Sequence, residues 1–428
     1  MSTPPSPSVD PLPTISSPLT GAAQVASLRW HERLALAVIR ASLARWQHGR
    51  LSVCLPDGTV ESVGDVDAVP HVTLRVRDAR FLVDFVLGGD LGAGESYMRG
   101  DWSCDDLPGF IALAVRNADA VGRDTWLTRL VTLPATIGHW TRGNTRRGSR
   151  QNIEAHYDLS NALFGLFLDE TMTYSSAVFA SADEALVDAQ RRKFDRLCDQ
   201  LALRRDDHVL EIGCGWGGFA IHAARTRGCR VTGITISREQ FDLATRRVAE
   251  AGLDDRVTIL MRDYRDVEGV YSAIVSIEMI EAVGREHWPA FFGACDRVLA
   301  PGGRVALQAI TVPDHRFAQY ARSADWIQKY IFPGSLLGSI GGFIEAMRPH
   351  SRLTIRHVDD IAAHYAETLR RWRHAFVDRL GEVRAMGFDE QFVRMWEFYL
   401  ASCEAYFRTR HIAVVQMTLA RSGDGAGL

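Results

Sequence analysis

Three carboxylates carry the first chemical argument. Glu278 and Glu281 lie three residues apart, and Glu211 stands two residues before a run of glycines. A spacing of three puts Glu278 and Glu281 on nearly one face of a helix, and two close carboxylates push one pKa upward, which favours a base. Glu281 is the expected site residue of the pair, and Glu278 is expected to make structural hydrogen bonds. Glu211 belongs to Val209-Leu-Glu-Ile-Gly-Cys-Gly-Trp-Gly-Gly-Phe-Ala220, an apolar strand that runs into a glycine turn and then a helix. Such glycines let the backbone approach a ligand closely, as at a nucleotide site. The pattern Gly213-x-Gly215-x-x-Gly218 alone is compatible with a dinucleotide fold. The next strand, however, ends in Thr235-Ile-Ser237 without the acid that grips an NAD ribose, so S-adenosylmethionine fits better than NAD. No Cys or His cluster has metal-ligand spacing, and Ser176 has no His/Asp relay evident in the sequence; neither a metal site nor an acyl-enzyme is supported.

These residues need a scaffold, and the chain supplies a regular one. Strand-like runs at 208–212, 230–236, 257–261, 273–277, 304–310 and 412–419 alternate with helical stretches at 218–226, 239–251 and 287–298. That alternation predicts an α/β fold with a mostly parallel sheet, whose strand ends gather ligand and chemistry along one rim. Pro301-Gly302-Gly303 marks the turn from a helix into a strand. Ahead of this region, residues 28–130 read as a small accessory α+β domain: a helix at 28–47, a hairpin around Pro56-Asp57-Gly58, a strand at 72–76 and helices at 81–88 and 106–116. Residues 1–24, rich in Pro, Ser and Thr, read as a disordered tail. Residues 131–150 read as a linker whose basic end, 142–150, is either a solvated connector or a patch for anionic headgroups. Residues 151–428 read as the second domain, which carries the glycine turn and the carboxylates. With 428 residues and a formal charge of −3, the chain can bury sizeable cores and gives no reason to expect nucleic acid. Seven scattered cysteines fit a reduced compartment, and no apolar run reaches the ~18 residues of a spanning helix. The expected location is cytoplasmic, with any membrane contact made from the surface.

From residue 152 to 421 the chain resembles the cyclopropane-fatty-acid-phospholipid synthase family. The motifs are Asn152-Ile-Glu-Ala-His-Tyr-Asp-Leu-Ser-Asn161, Tyr174-Ser-Ser176, Val209 to Ala220, Gly233-Ile-Thr-Ile-Ser-Arg-Glu-Gln240, Glu278-Met-Ile-Glu-Ala-Val-Gly284 and Gln328-Lys-Tyr-Ile-Phe-Pro-Gly334. Leu91-Gly-Ala-Gly-Glu-Ser-Tyr-Met-Arg-Gly-Asp-Trp102 is similar to the family's accessory domain. The resemblance implies a Rossmann-like class I methyltransferase preceded by a small α+β domain. It also implies how the co-substrate is held: Tyr174 and Ser175 at the methionine part, Gly213 and Gly215 lining it, Thr235, Ile236 and Gln240 at the ribose, and Tyr264, Arg265 and Ile277 around the adenine. A bound bicarbonate is the base the family implies, held by Glu281, Tyr365 and the backbone of Ile310. This sequence departs at two of the holding positions from the best-known bacterial pattern of the family: Ser176 stands in place of a cysteine, and Gln308 in place of a histidine. Both can hydrogen-bond an oxyanion, and neither supplies positive charge.

An alkene is a poor nucleophile, so such an enzyme must align it with a sulfonium methyl in a dry pocket and then choose which proton the resulting carbocation loses. Loss from the new methyl closes a cyclopropane; loss elsewhere leaves a methyl or methylene branch. The resemblance implies cyclopropane formation on unsaturated acyl chains of membrane phospholipids, by a protein peripheral to the inner membrane face, with a homodimer left open. The branched ending and a catalytically silent lipid-binding relative are the alternatives. Tyr330-Ile-Phe-Pro-Gly-Ser-Leu-Leu-Gly-Ser-Ile-Gly-Gly-Phe343, apolar and glycine-punctuated, is expected within a lipid-covering insertion at about 312–365. Arg370, Arg371, Arg373 and Arg379 around Trp372 and Phe376 read as an interfacial face or as a solvated basic helix face with two core aromatics.

Overall fold

The computed structural model describes residues 28–121, 160–323 and 325–423; the tail at 1–24, the linker at 131–150 and most of the 152–161 motif lie outside them. The chain divides into two compact units. One takes the N-terminal residues together with Phe376–Thr409, and the other takes the residues up to Ala375 together with those from Arg410.

In the N-terminal unit, β1 (Arg50–Cys54) and β2 (Val60–Val63) form the hairpin expected at Pro56-Asp57-Gly58, with Gly58 at φ 84°. The left-handed φ is one that glycine adopts without steric cost. Strand β3 (His71–Val76) pairs parallel with β1 and antiparallel with β4 (Trp102–Cys104). Alternation along β3 buries Val72, Leu74 and Val76. The core closes on Trp102, fully buried among Phe81, Tyr97, Phe110 and Phe398. Phe398 comes from the helix Glu390–Arg408, whose Glu397 accepts the Tyr97 hydroxyl at 2.6 Å. Residues 376–409 thus sit with this unit, although the sequence places them in the span 151–428 of the second domain. The helix expected at 81–88 runs on as Arg80–Arg99, kinked at Gly89 where φ is 56°.

The second unit is built on a seven-stranded sheet in the order β10-β11-β9-β8-β5-β6-β7. Strands β5 (His208–Ile212), β6 (Arg230–Thr235), β7 (Val257–Met261), β8 (Tyr271–Ile277) and β9 (Leu299–Thr311) are parallel. β10 (Leu353–Asp360) and β11 (Ala413–Arg421) extend the sheet through antiparallel pairings. The sheet is therefore mostly parallel, as expected. Pro301-Gly302-Gly303 bulges within β9, between Leu299 opposite Tyr271 and Arg304 opposite Ala273. Under the sheet, Phe194, Leu197, Val209, Phe219, Ala223, Val231 and Val275 form one core, which fixes the helices Leu186–Gln200 and Gly218–Arg227 against β5. Strand order reverses at β5, whose neighbours are β6 on one side and β8 on the other. The carboxyl ends of β5, β6 and β8 at such a switch point are where open α/β sheets bind ligands.

Candidate active site

At the end of β5 the chain makes three left-handed turns, with Gly213, Gly215 and Gly217 at φ 82°, 52° and 82°. Gly213 and Cys214 both donate to the carbonyl of Ile234, which ties this loop to β6. A Cβ on Gly213 would strike the Met279 side chain at 2.5 Å, whereas one on Gly215 would meet nothing within 4 Å. Gly213 is therefore needed for close packing, and Gly215 faces open room for a ligand. Glu211 is buried at the strand end with Oε2 unpartnered among the described residues, and burial pushes its carboxyl well above the usual range.

Thr235, at the end of β6, donates to Oε1 of Gln240 at 2.7 Å and accepts from Ser237 N–H, while Ser237 caps the helix Arg238–Glu250. Thr235 and Gln240 form a buried neutral pair suited to ribose hydroxyls, and Ile236 beside them is half-buried. Beyond β7, Tyr264 stands in a one-turn helix with its hydroxyl buried and unpartnered, its pKa pushed up to about 12 chiefly by burial. Arg265 is spent on Asp263, at 2.8 and 2.6 Å, and lies 5.5 Å from the Tyr264 ring centre. It braces that ring. Ile277 closes β8, half-buried against the core. The expected co-substrate residues thus stand at the ends of β5, β6 and β8 and just beyond β7, along one rim. Unpartnered polar atoms on Glu211 and Tyr264 and the open room at Gly215 fit S-adenosylmethionine.

Tyr174 and Ser175 join that rim from a loop. The Tyr174 ring lies against Phe164, Trp372 and Phe332, and Gln190 Nε2 donates to the Ser175 carbonyl at 3.0 Å. Sequence reasoning missed the group that organises this corner. Lys193, fully buried on the helix Leu186–Gln200, donates from Nζ to Ser175 Oγ at 2.7 Å. Burial lowers its pKa to about 8, against the opposing pull of Glu278, Asp169 and Glu211. Its only sequence signal was a lysine on the apolar side of a strongly amphipathic helix.

The remaining predicted residues converge on the two carboxylates, which do not share a helix. β8 ends at Ile277, Glu278 takes a left-handed φ of 51°, and Glu281 sits in the single 3-10 turn Ile280–Ala282. The physical reason is that Glu278 N–H is taken by the carbonyl of Gln308 on β9 at 2.8 Å, which holds the backbone out of a helix. Glu278 Oε1 accepts from Ser176 N–H at 2.9 Å and Gln308 Nε2 at 2.7 Å, and Tyr365 adds a side-chain hydrogen bond to the same carboxyl. Glu281 Oε1 accepts from Ile310 N–H at 2.5 Å, while its Oε2 is buried without a partner among the described residues. Burial, then the nearby Glu278, raise Glu281 to about 8. Glu281 also accepts Leu336 N–H on its main-chain carbonyl at 2.8 Å, and Gly338 pairs with Thr311 and Val312. The apolar stretch 330–343 is thereby fastened beside the carboxylates. The basic helix is corrected in part: Arg370 and Arg371 bind Glu367, Arg371 also reaches the carbonyl of Ala182 at 2.8 Å, and Trp372 is fully buried. Those two cations hold the fold together and do not form a free interfacial face.

Residues 144–417 match the family model described as mycolic acid cyclopropane synthetase. Tuberculostearic acid methyltransferase UfaA1 of Mycobacterium tuberculosis is 43% identical over 96% of this chain and 99% of its own length. Cyclopropane-fatty-acyl-phospholipid synthase of Escherichia coli is 36% identical over 81% of this chain and 87% of its own. Among solved structures, cyclopropane synthase MmaA2 from Mycobacterium tuberculosis superposes with a TM-score of 0.59 at 30% identity, covering 64% of this chain and 98% of that one. Mycolic acid cyclopropane synthase CmaA1 complexed with SAH and CTAB does so with 0.59 at 32%, covering 63% and 97%. A dinucleotide oxidoreductase is thereby set aside. The chain belongs to the mycolic acid cyclopropane synthetase family and is an S-adenosylmethionine-dependent lipid methyltransferase.

Proposed function

We propose that this enzyme methylates the double bond of an unsaturated acyl chain in a membrane phospholipid and ends in a methyl- or methylene-branched chain. The observation that carries the reading is the pair of Glu278, half-buried, and Glu281, buried, between the ends of β8 and β9 beside the co-substrate rim, Glu281 with an oxygen unpartnered among the described residues. S-adenosylmethionine supplies the electrophilic methyl group. Lys193 and Gln190 hold the loop carrying Tyr174 and Ser175 at the methionine end, and Thr235 with Gln240 meets the ribose. Methyl transfer leaves a cation on the acyl chain, which aromatic faces stabilise without trapping it. Tyr174, Trp372 and Tyr365 form a contiguous group of rings for this task, with centroids 5.3 and 6.1 Å apart. The stretch 330–343, fastened to Glu281 and β9, lies where it can exclude water from that cation.

The branched ending is favoured by the full-length similarity to a tuberculostearic acid methyltransferase. Ring closure is the second reading, supported by the similarity to a cyclopropane-fatty-acyl-phospholipid synthase. No helix among the described residues is long and apolar enough to cross a membrane, so on this reading the protein reaches its lipid from the surface of the inner leaflet. The test is conversion of vesicles of mono-unsaturated phospholipid with methyl-labelled S-adenosylmethionine. Label in a chain that still carries a double bond supports the branched reading, and label in a chain without one supports the ring.

A further inference from the structure

The residues expected to hold bicarbonate do not fit a bound anion. Ile310 N–H, the backbone donor of that set, is already given to Glu281. Ser176 donates its hydroxyl to the carbonyl of Ala177 at 2.9 Å and its N–H to Glu278. Gln308 is engaged at both ends: Nε2 donates to Glu278, and Oε1 accepts from Gln416 Nε2 at 2.9 Å. Gln416 is itself fully buried on β11, so the Gln308 amide is held in this orientation by the sheet. Tyr365 also bonds Glu278. Bicarbonate would have to enter beside two carboxylates and break hydrogen bonds that these donors already make, and a buried anion without donors is costly.

We propose that Oε2 of Glu281 is itself the proton acceptor, so that the enzyme works without bicarbonate. This inference rests on the reading of the protein as an alkene methyltransferase. Glu281 is about nine-tenths buried, its Oε1 is fixed by the Ile310 amide, and its Oε2 is buried with no hydrogen-bond partner among the described residues. Fixing one oxygen aims the other. Leu336, tied to the main chain of the same residue, keeps the apolar stretch at its side.

The step balances without a further reactant. The alkene π pair forms the new bond to the methyl carbon, and the carbon–sulfur pair stays on sulfur. The cation on the neighbouring carbon then loses a proton to Oε2 of Glu281. The released C–H pair becomes either a new double bond or the closing bond of a ring, and the proton later passes from Glu281 to water. Ser176 and Gln308, which lack the charge of a histidine, act as positioning residues that hold Glu278 in place next to the base.

The experiment uses the whole protein, vesicles of mono-unsaturated phospholipid and labelled S-adenosylmethionine, in buffer stripped of carbon dioxide and in the same buffer with bicarbonate added. The expected result is a wild-type rate that agrees within about a factor of two in both buffers, with Glu281→Gln slower by at least ~100-fold, the usual scale for a lost general base. Glu281→Ala should regain part of its rate from added formate in the bicarbonate-free buffer. A wild-type rate that collapses without bicarbonate and returns with it overturns the inference while leaving the methyltransferase reading intact; this arm needs no variant to fold. A wild-type enzyme that puts no label on any lipid in either buffer overturns the functional reading and the inference with it.

Discussion

Replacing Lys193 by methionine separates what a buried ammonium does for the fold from what it does for the site. The Lys193 pKa falls to about 8 from an ordinary 10.5, with burial as the largest cause. The folded value lies below the unfolded one, so the charged form is penalised on folding. The penalty is fully present below the folded value and fades as pH rises toward the unfolded value. From these two values it is ~3 kcal/mol at pH 7 and ~1.5 kcal/mol at pH 9.5. Lys193→Met removes that term at every pH. The unfolding free energy of the variant relative to wild type should therefore fall by about 2 kcal/mol between pH 7 and pH 9.5. Comparing the two proteins cancels the titration of other groups common to both. The assay is urea unfolding at a series of pH values, paired with calorimetric titration of S-adenosylmethionine. Binding should weaken by about tenfold or more because Ser175 loses its 2.7 Å partner. A stability difference that stays constant from pH 7 to 9.5 would refute the buried-ammonium argument, and unchanged binding would detach Lys193 from the co-substrate corner.

Four further outcomes follow from the same geometry. Thr235→Val removes the 2.7 Å bond to Gln240 and should raise the S-adenosylmethionine KM about five- to tenfold with kcat nearly unchanged, read by steady-state kinetics. The base must be unprotonated, so kcat/KM should climb with pH toward about 8, the value to which burial and Glu278 raise Glu281. Glu278→Gln takes away the like charge and should move that climb to lower pH; a climb unmoved in a folded variant would show that the two carboxylates are not coupled. Gln308→His breaks the chain from Gln416 to Glu278 and should change the rate or the ratio of branched to ring product, measured by lipid mass spectrometry; no change in either would remove Gln308 from the pocket.

Much of the sheet was legible because parallel strands buried on both faces are near-continuous apolar runs. The bounds of β5 and β7, His208–Ile212 and Val257–Met261, coincide with the expected ones. β10 was not legible: Leu353-Thr-Ile-Arg-His-Val-Asp-Asp360 is a largely polar edge strand with only Leu353 buried, and it exists because β11 offers it a partner. The docking of 376–409 on the N-terminal unit depends on Phe398 meeting Trp102 and Glu397 meeting Tyr97, contacts about 300 residues apart that no local pattern announces. In the site, the glycine turn and the Thr235–Gln240 pair follow from local rules of strand ends and helix starts. Lys193 does not, because a lysine on the apolar side of its helix gives no sign of Ser175 and the three carboxylates that close around it. Nor does the left-handed turn at Glu278, which is set by β9 pairing and not by the preference of glutamate for a helix.

The most direct test of the central claim is mass spectrometry of lipids from a host that makes this protein and is fed methionine labelled with carbon-13 in its methyl group. The account predicts phospholipid acyl chains heavier by one labelled carbon, with the label at the former double bond and one double bond kept. Unlabelled acyl chains in cells that contain the folded protein would contradict it.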